Sequence, residues 1–89
     1  MRIAVCDDDE TAVSFLRELI ETYPKQKLCA DGYSSGEDLL RSGHVYDLIF
    51  LDIDMRGIDG IETARRIRVH DRKVKIVYVL SLIHISEPT

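Results

Sequence analysis

Residues 47–60, DLIFLDIDMRGIDG, place an apolar run of four residues, 48–51, directly before Asp52, with a second acid, Asp54, two positions later. A short, continuous apolar run between polar residues is typical of a strand that is buried on both faces of a parallel sheet. Because this run ends in an acid, the strand brings a carboxylate to one edge of the sheet. The stretch therefore predicts both a core strand and a candidate site.

The rest of the chain alternates short apolar runs with helical periodicity, which is typical of βα units. In residues 10–23, Val13, Leu16 and Ile20 recur at three- and four-residue spacing and predict a helix with one buried face. We predict strands over residues 2–6, 27–33, 47–52 and 73–79, and helices over residues 10–23, 34–43 and 59–70. The fold class predicted is α/β, with a doubly wound parallel sheet.

Composition restricts the classes of protein. A chain of 89 residues with 45% hydrophobic and 31% charged residues fits one soluble domain. The net charge of −4 argues against direct binding to nucleic acid. The apolar stretch 3–6 is too short for a signal peptide, and no run approaches the length of a membrane span, so we expect a cytoplasmic protein with no membrane partner. Cys6 and Cys29 lack metal-site spacing, and both are expected to be buried strand residues.

Two predicted strands end in acids. Asp7 and Asp8 follow the first strand, and Asp52 and Asp54 end and follow the third. In a doubly wound sheet, sites form beyond the carboxyl ends of strands where the strand order reverses, so these carboxylates meet if the two strands are neighbours. Like charges that close require a compensating cation, for which Mg²⁺ is suited. An aspartate held there can act as a nucleophile and carry a phosphoryl group.

Helix capping is the alternative for each acid taken alone. Asp8 or Asp9 could cap the first helix, and Asp59 could start the third. The combination of an acidic pair after one strand with an acid closing another favours a functional site.

The acidic pair, the acid that closes the third strand and the DG pair seven and eight residues later together resemble the receiver domain of bacterial two-component response regulators. The resemblance covers residues 1–79 and implies a flavodoxin-like receiver fold. It implies that Asp52 is the phosphoacceptor, phosphorylated by a histidine kinase in a Mg²⁺-dependent step. It also implies that Asp8 binds Mg²⁺ directly together with Asp52, that Asp7 acts mainly through water, and that Asp54 supplies its backbone carbonyl. The protein would then be a signalling phosphoacceptor domain and not an enzyme.

The segments MRIAVCDDDE, YSSGEDLL and LDIDMRGIDGIETARRIR resemble most the receivers that precede LytTR-type DNA-binding output domains. This resemblance implies that DNA is contacted only through an output domain outside the chain, and it allows receiver dimerisation. One departure is Arg56, where the family commonly has proline. Because proline would preset the turn, Arg56 is expected to loosen this loop without removing a metal ligand.

The end of the chain departs further. The receiver resemblance requires a Ser or Thr where Leu80 stands, and then a fifth strand with a lysine that pairs with the phosphoryl group. We therefore expect a partial receiver, truncated after the fourth strand. Residues 80–89, LSLIHISEPT, resemble the translation of an adapter from transposase-based sequencing libraries, which predicts a non-native tail without roles for Ser81 or His84. A genuine strand-to-helix loop is the alternative.

Two other functions remain open from the residues. The segment IFLDIDM also resembles haloacid-dehalogenase-type phosphatases, with Asp52 as nucleophile and Asp54 as acid and base. That family would place a small hydroxyl residue at the position of Arg56, and it does not account for Asp7 and Asp8. The third possibility is a degenerate receiver that acts only in protein interaction.

Overall fold

The computed structural model describes residues 1–80. Its elements are β1 (Arg2–Cys6), α1 (Glu10–Glu21), β2 (Cys29–Tyr33), α2 (Gly36–Ser42), β3 (Leu48–Asp52), α3 (Gly60–His70) and β4 (Lys75–Val79). The predicted alternation of strands and helices is confirmed. The predicted second and fourth strands begin two residues too early, because β1 and β3 offer their first partners only at Cys29 and Lys75.

All four strands are parallel and lie in the order β2-β1-β3-β4. The chain moves from β1 to β2 in one direction and then crosses back to β3, so the strand order reverses between β1 and β3. These two strands are neighbours, with Ile3 opposite Leu48 and Cys6 opposite Leu51. Their carboxyl ends therefore meet at the position where doubly wound sheets place their sites.

The hydrophobic core lies between the sheet and the pair α2 and α3. It consists of inward-facing strand residues with side chains from both helices and the connecting loops: Ala4, Cys6, Leu39, Tyr46, Ile49, Leu51, Met55, Ala64 and Val74. Alternate residues of β1 and β3 point into this layer, as the two-residue period of a strand requires. The core therefore fixes the two strands whose ends carry the acids.

The other side of the sheet is covered by α1 and carries an apolar groove beside that helix. Leu16, Ile20, Leu48 and Phe50 are among the residues that line the groove. The prediction that β3 is buried on both faces is therefore only partly right, because Leu48 and Phe50 are half-buried while Ile49 and Leu51 are buried. For the same reason α1 contains no fully buried residue.

The two cysteines differ in their surroundings. Cys6 is buried at the end of β1, as expected, whereas Cys29 at the start of the edge strand β2 is exposed. The prediction of a buried Cys29 is wrong, because in the described part of the chain β2 pairs only with β1, and Cys29 is the first residue of this edge strand.

Within residues 1–80, no helix has the length and apolar character that crossing a membrane requires.

Candidate functional site

Three of the predicted site residues meet at the carboxyl ends of β1 and β3. Asp7, Asp8 and Asp52 each place a carboxylate oxygen within 4.8 Å of the others. We call these three residues the acidic cluster. Asp7 and Asp52 are only 2% and 1% exposed, whereas Asp8 is partly open to solvent. Three carboxylates at this spacing are suited to a hard divalent cation.

Main-chain N–H groups orient the acidic cluster. One oxygen of each carboxylate accepts a backbone hydrogen bond: Asp7 Oδ1 from Asp9 at 2.9 Å, Asp8 Oδ2 from Arg56 at 3.0 Å, and Asp52 Oδ1 from Asp54 at 3.4 Å. These donors belong to the loops that follow β1 and β3. The loops therefore orient each carboxylate through one of its oxygens, and the other oxygen takes no part in these three hydrogen bonds.

The second oxygen of Asp52, Oδ2, is buried and has no hydrogen-bond partner. It is the only such buried side-chain polar atom in the described part of the chain. Leaving a buried polar atom unsatisfied costs about 1 to 3 kcal/mol or more, so native structures seldom keep one without a reason. This atom is therefore suited to a ligand or to chemistry.

Electrostatic strain concentrates at the same place. Burial raises the pKa of Asp7 from 3.8 to about 6, against the opposing N–H of Asp9 and with help from the charges of Asp52 and Asp8. Burial also raises the pKa of the Cys6 thiol to about 12, and the charges of Asp7 and Asp52 add to this effect. Cys6 is therefore a protonated core residue, and its Sγ donates to the carbonyl of Ser35 at 3.3 Å.

Two other acids have the capping role that was the alternative. Asp9 is the N-cap of α1 and accepts from the N–H of Thr11 at 2.9 Å. Asp59 is the N-cap of α3 and accepts from the N–H of Glu62 at 2.8 Å. Capping therefore explains Asp9 and Asp59, whereas Asp8 turns toward the loop after β3 and joins the acidic cluster.

Asp54 lies outside the set of clustered carboxylates. It follows β3, is exposed, and lines a polar cleft with Asp8, Asp9, Met55 and Arg56. The structure therefore brings together three of the four residues predicted for the metal, and Asp54 lies beside them.

The loop after β3 is held by two glycines and by a contact with α2. Gly57 has φ of +77°, a conformation that favours glycine, and the next residue, Ile58, donates its N–H to Glu37 of α2 at 3.2 Å. A Cβ on Gly60 would collide with the backbone carbonyl of Asp52, so α3 begins directly against the end of β3. The DG pair at 59–60 was the sequence signal for this turn, whereas nothing in the sequence indicated the contact with Glu37.

Arg56 ties the loop after β3 to the loop after β1. Its N–H donates to Asp8, and its Nε lies 3.8 Å from the same oxygen. A proline at this position would have no N–H to donate to Asp8, so Arg56 supplies a link between the two loops that the expectation of a looser loop did not include.

The family model described as "Response regulator receiver domain" matches residues 3–86. The "Probable histidine kinase 3" of Oryza sativa subsp. japonica is 35% identical over 71 residues, which cover 80% of this chain and 7% of that protein. The chain therefore spans less than a tenth of this curated relative.

Solved structures give the same relationship. A chain in the crystal structure of the histidine kinase ThkA in complex with the response regulator protein TrrA is 32% identical, with a TM-score of 0.79 over 97% of this chain and 73% of that one. The structure of TrrA from Thermotoga maritima in complex with Mg²⁺-BeF is 27% identical, with a TM-score of 0.79 over 96% of this chain and 90% of that one.

Sequence match, sheet order and the acidic cluster at the strand ends agree, and they decide against the phosphatase family. This chain belongs to the response regulator receiver domain family.

Proposed function

We propose that the chain accepts a phosphoryl group on Asp52 in a Mg²⁺-dependent step. The observation that carries this proposal is the buried, unpartnered Asp52 Oδ2 next to two further carboxylates. An oxygen without a hydrogen bond keeps its lone pairs available, and burial removes the water that would compete for them. Asp52 is therefore suited to act as a nucleophile.

In the reaction, a carboxylate oxygen of Asp52 attacks the phosphorus of the donor. A P–O bond forms, the bond from phosphorus to the leaving atom of the donor breaks, and its electron pair stays with that atom. The product is an acyl phosphate. The N–H of Asp54 on Asp52 Oδ1, at 3.4 Å, orients the carboxylate during this step.

We assign the cation to Asp7, Asp8 and Asp52, with the backbone carbonyl of Asp54 as a further ligand. When bound, Mg²⁺ neutralises charge on the carboxylates and on the transferred phosphoryl group. The burial of Asp7 favours its protonated form in the metal-free chain. A bound cation would favour the ionised form of Asp7.

A histidine kinase is the proposed phosphodonor. The similarity to a chain from the complex of ThkA with TrrA supports this choice, because that complex joins a histidine kinase to a response regulator. Receiver dimerisation is a second interaction that we propose. A cytoplasmic location fits a chain that exchanges phosphate with a kinase.

The experiment is phosphorylation of the 89-residue chain by a small phosphodonor, with and without MgCl₂, followed by intact-mass spectrometry. We expect one added phosphoryl group that requires Mg²⁺ and is removed by hydroxylamine, as an acyl phosphate should be. Asp52→Asn should abolish it.

Asp9→Asn is the matched control, because it removes one nearby charge while asparagine still caps α1. Phosphorylation of Asp52→Asn at the rate of the unsubstituted chain would refute the proposal. A folded full-length parent protein that takes no phosphate would favour the interaction-only function.

We further propose that the parent protein carries an output domain of the LytTR type, through which alone it contacts DNA. The support is the resemblance of residues 1–10, 33–40 and 51–68 to the receivers of such regulators. The coding sequence downstream of this segment in the source genome tests it, and an output domain of another type would refute it.

Residues 1–79 are proposed as the partial receiver domain and residues 80–89 as a non-native tail. Most of the tail, 81–89, lies outside the described residues, including Ser81 and His84. Its likeness to a translated adapter supports the proposal, whereas the family match that reaches residue 86 runs against it. Resequencing the source locus decides the question, since a natural reading frame through LSLIHISEPT would refute a non-native origin.

A further inference from the structure

Arg56 stands at the entrance to the acidic cluster. Its side chain is 93% exposed, and its Nε lies 3.8 Å from Asp8 Oδ2, whereas the Asp8 side chain is only 20% exposed. The two residues are 48 positions apart, so the fold itself brings the guanidinium to this carboxylate. Among the residues within 1–80 that line the cleft over Asp8, Arg56 is the only cation.

The position of the guanidinium conflicts with a metal at the same carboxylate. A divalent ion bound to Asp8 would lie close to the positive charge of Arg56, and the two cations repel each other. Asp8 is also the most exposed member of the acidic cluster, so a hydrated ion meets this carboxylate first. The guanidinium thus occupies the solvent side of the carboxylate that the ion must reach.

We propose that the Arg56 guanidinium competes with Mg²⁺ for Asp8 and lowers the affinity of the site for the cation. This inference rests on the proposed cation site. In the metal-free chain the guanidinium pairs with Asp8, and when the cation binds it moves into solvent. The backbone N–H of Arg56 keeps its hydrogen bond to Asp8 in both states, so the loop stays in place. Arg56 therefore sets the Mg²⁺ concentration at which the receiver becomes competent for phosphorylation.

The test is a titration of the 89-residue chain with MgCl₂, followed by the NMR shifts of the amides of Asp9, Asp54 and residue 56. Arg56→Ala should bind Mg²⁺ about two- to fivefold more tightly, the size expected when one exposed ion pair is lost. Arg56→Lys keeps the charge and should stay within about twofold of the unsubstituted chain. Neither substitution should affect folding, because the side chain is almost fully exposed.

Arg72→Ala is the matched control. It lowers the net charge by the same amount, but Arg72 lies in the α3–β4 loop at the opposite end of the sheet. Its Mg²⁺ affinity should remain that of the unsubstituted chain. The gain in Arg56→Ala should also shrink as NaCl rises, because salt screens an exposed pair.

The outcomes separate the two proposals. If the unsubstituted chain and Arg56→Ala bind Mg²⁺ with the same affinity, the competition is refuted and the cation site stands. The same conclusion follows if Arg56→Ala and Arg72→Ala increase the Mg²⁺ affinity equally. If neither the unsubstituted chain nor Arg56→Ala shifts these amides with MgCl₂, the cation site itself is refuted, and the competition with it.

Discussion

Two groups of polar side chains, each built around at least one buried residue, lie in this small domain, and they differ in how their hydrogen bonds are satisfied. The acidic cluster holds like charges and one oxygen without a partner. The second group, which we call the tyrosine cluster, consists of Asp31, Tyr33, His44 and Tyr46. Here the hydroxyl of the buried Tyr46 donates to Asp31 at 2.7 Å and contacts the hydroxyl of Tyr33, and His44 Nδ1 lies 3.4 Å from both hydroxyls.

The tyrosine cluster is complete in itself. Burial raises the pKa of Tyr46, and the hydrogen bonds with Tyr33 and Asp31 add to the effect, so the hydroxyl stays protonated. Arg2 pairs with Asp31 at 3.4 Å and lies over the Tyr46 ring, 5.3 Å from its centre. Every group therefore has a partner within the chain, and the hydroxyl of Tyr46, the buried member, is satisfied, as a buried polar group must be if it is to stabilise a fold.

The acidic cluster lacks this internal balance, and the difference separates structural from functional polar groups. A protein keeps an unsatisfied buried carboxylate where a ligand or a reaction satisfies it. The comparison therefore predicts opposite effects on stability for substitutions in the two clusters.

The largest effect is expected for Asp7→Asn. Asparagine removes a buried charge next to Asp8 and Asp52, while its side-chain oxygen can still accept the N–H of Asp9. Because the pKa of Asp7 is raised to about 6, its ionisation at pH 7 opposes folding. We expect the free energy of unfolding without metal to increase by about 2 kcal/mol, measured by urea denaturation. A decrease in the free energy of unfolding would contradict the claim that the charges of the acidic cluster destabilise the metal-free fold.

Tyr46→Phe should have the opposite sign. The ring remains, but Asp31 and Tyr33 lose their shared partner, so we expect a loss of about 1.5 kcal/mol. Phosphorylation of Asp52 should be unchanged under conditions where the variant is folded. Tyr23→Phe is the control. Because Tyr23 is 47% exposed, the loss of its hydroxyl should change the free energy of unfolding little. If Tyr46→Phe left the free energy of unfolding unchanged, the tyrosine cluster would not be a stabilising network, and it would not differ from the acidic cluster in this respect.

A smaller effect is expected from pH. Asp7 titrates near pH 6 in the folded chain and near its ordinary 3.8 when unfolded. Between these values the folded state holds a proton that the unfolded state has released, so stability falls as pH rises. Without metal, the chain should be roughly 1 kcal/mol less stable at pH 7 than at pH 5 through this group. The free energy of unfolding is measured against pH for the unsubstituted chain and for Asp7→Asn, and the difference between the two slopes gives the contribution of Asp7. Equal slopes would contradict this prediction.

The sequence predicted the acidic cluster, because its position follows from the order of strands and acids along the chain. The apolar runs and their terminal acids predicted β1, β3 and the meeting of Asp7, Asp8 and Asp52, because parallel strands place their carboxyl ends together. The tyrosine cluster was not predicted, since Asp31 and Tyr46 meet only through the pairing of β2 with β1 and the return of the chain to β3. The pairing of Arg56 with Asp8 was missed for the same reason, as it joins two loops.

The third acid in the run 7–9 has a structural role. Asp9 lies next to the acidic cluster, but its side chain caps α1 and accepts the N–H of Thr11 and Ala12 at 2.9 and 3.4 Å. Asp9→Ala should therefore cost about 1 kcal/mol, as other lost caps do. The N–H of residue 9, which orients Asp7, is unaffected by this substitution.

Mg²⁺ binding should distinguish Asp9→Ala from Asp8→Ala, when both are titrated with MgCl₂ and unfolded in urea. Asp9→Ala should lose stability but keep nearly all of its affinity for the cation. Asp8→Ala should lose the affinity, because it removes a proposed ligand. If both substitutions weakened Mg²⁺ binding equally, the cluster would act through its total charge, and the assignment of individual carboxylates to capping and to metal binding would be wrong.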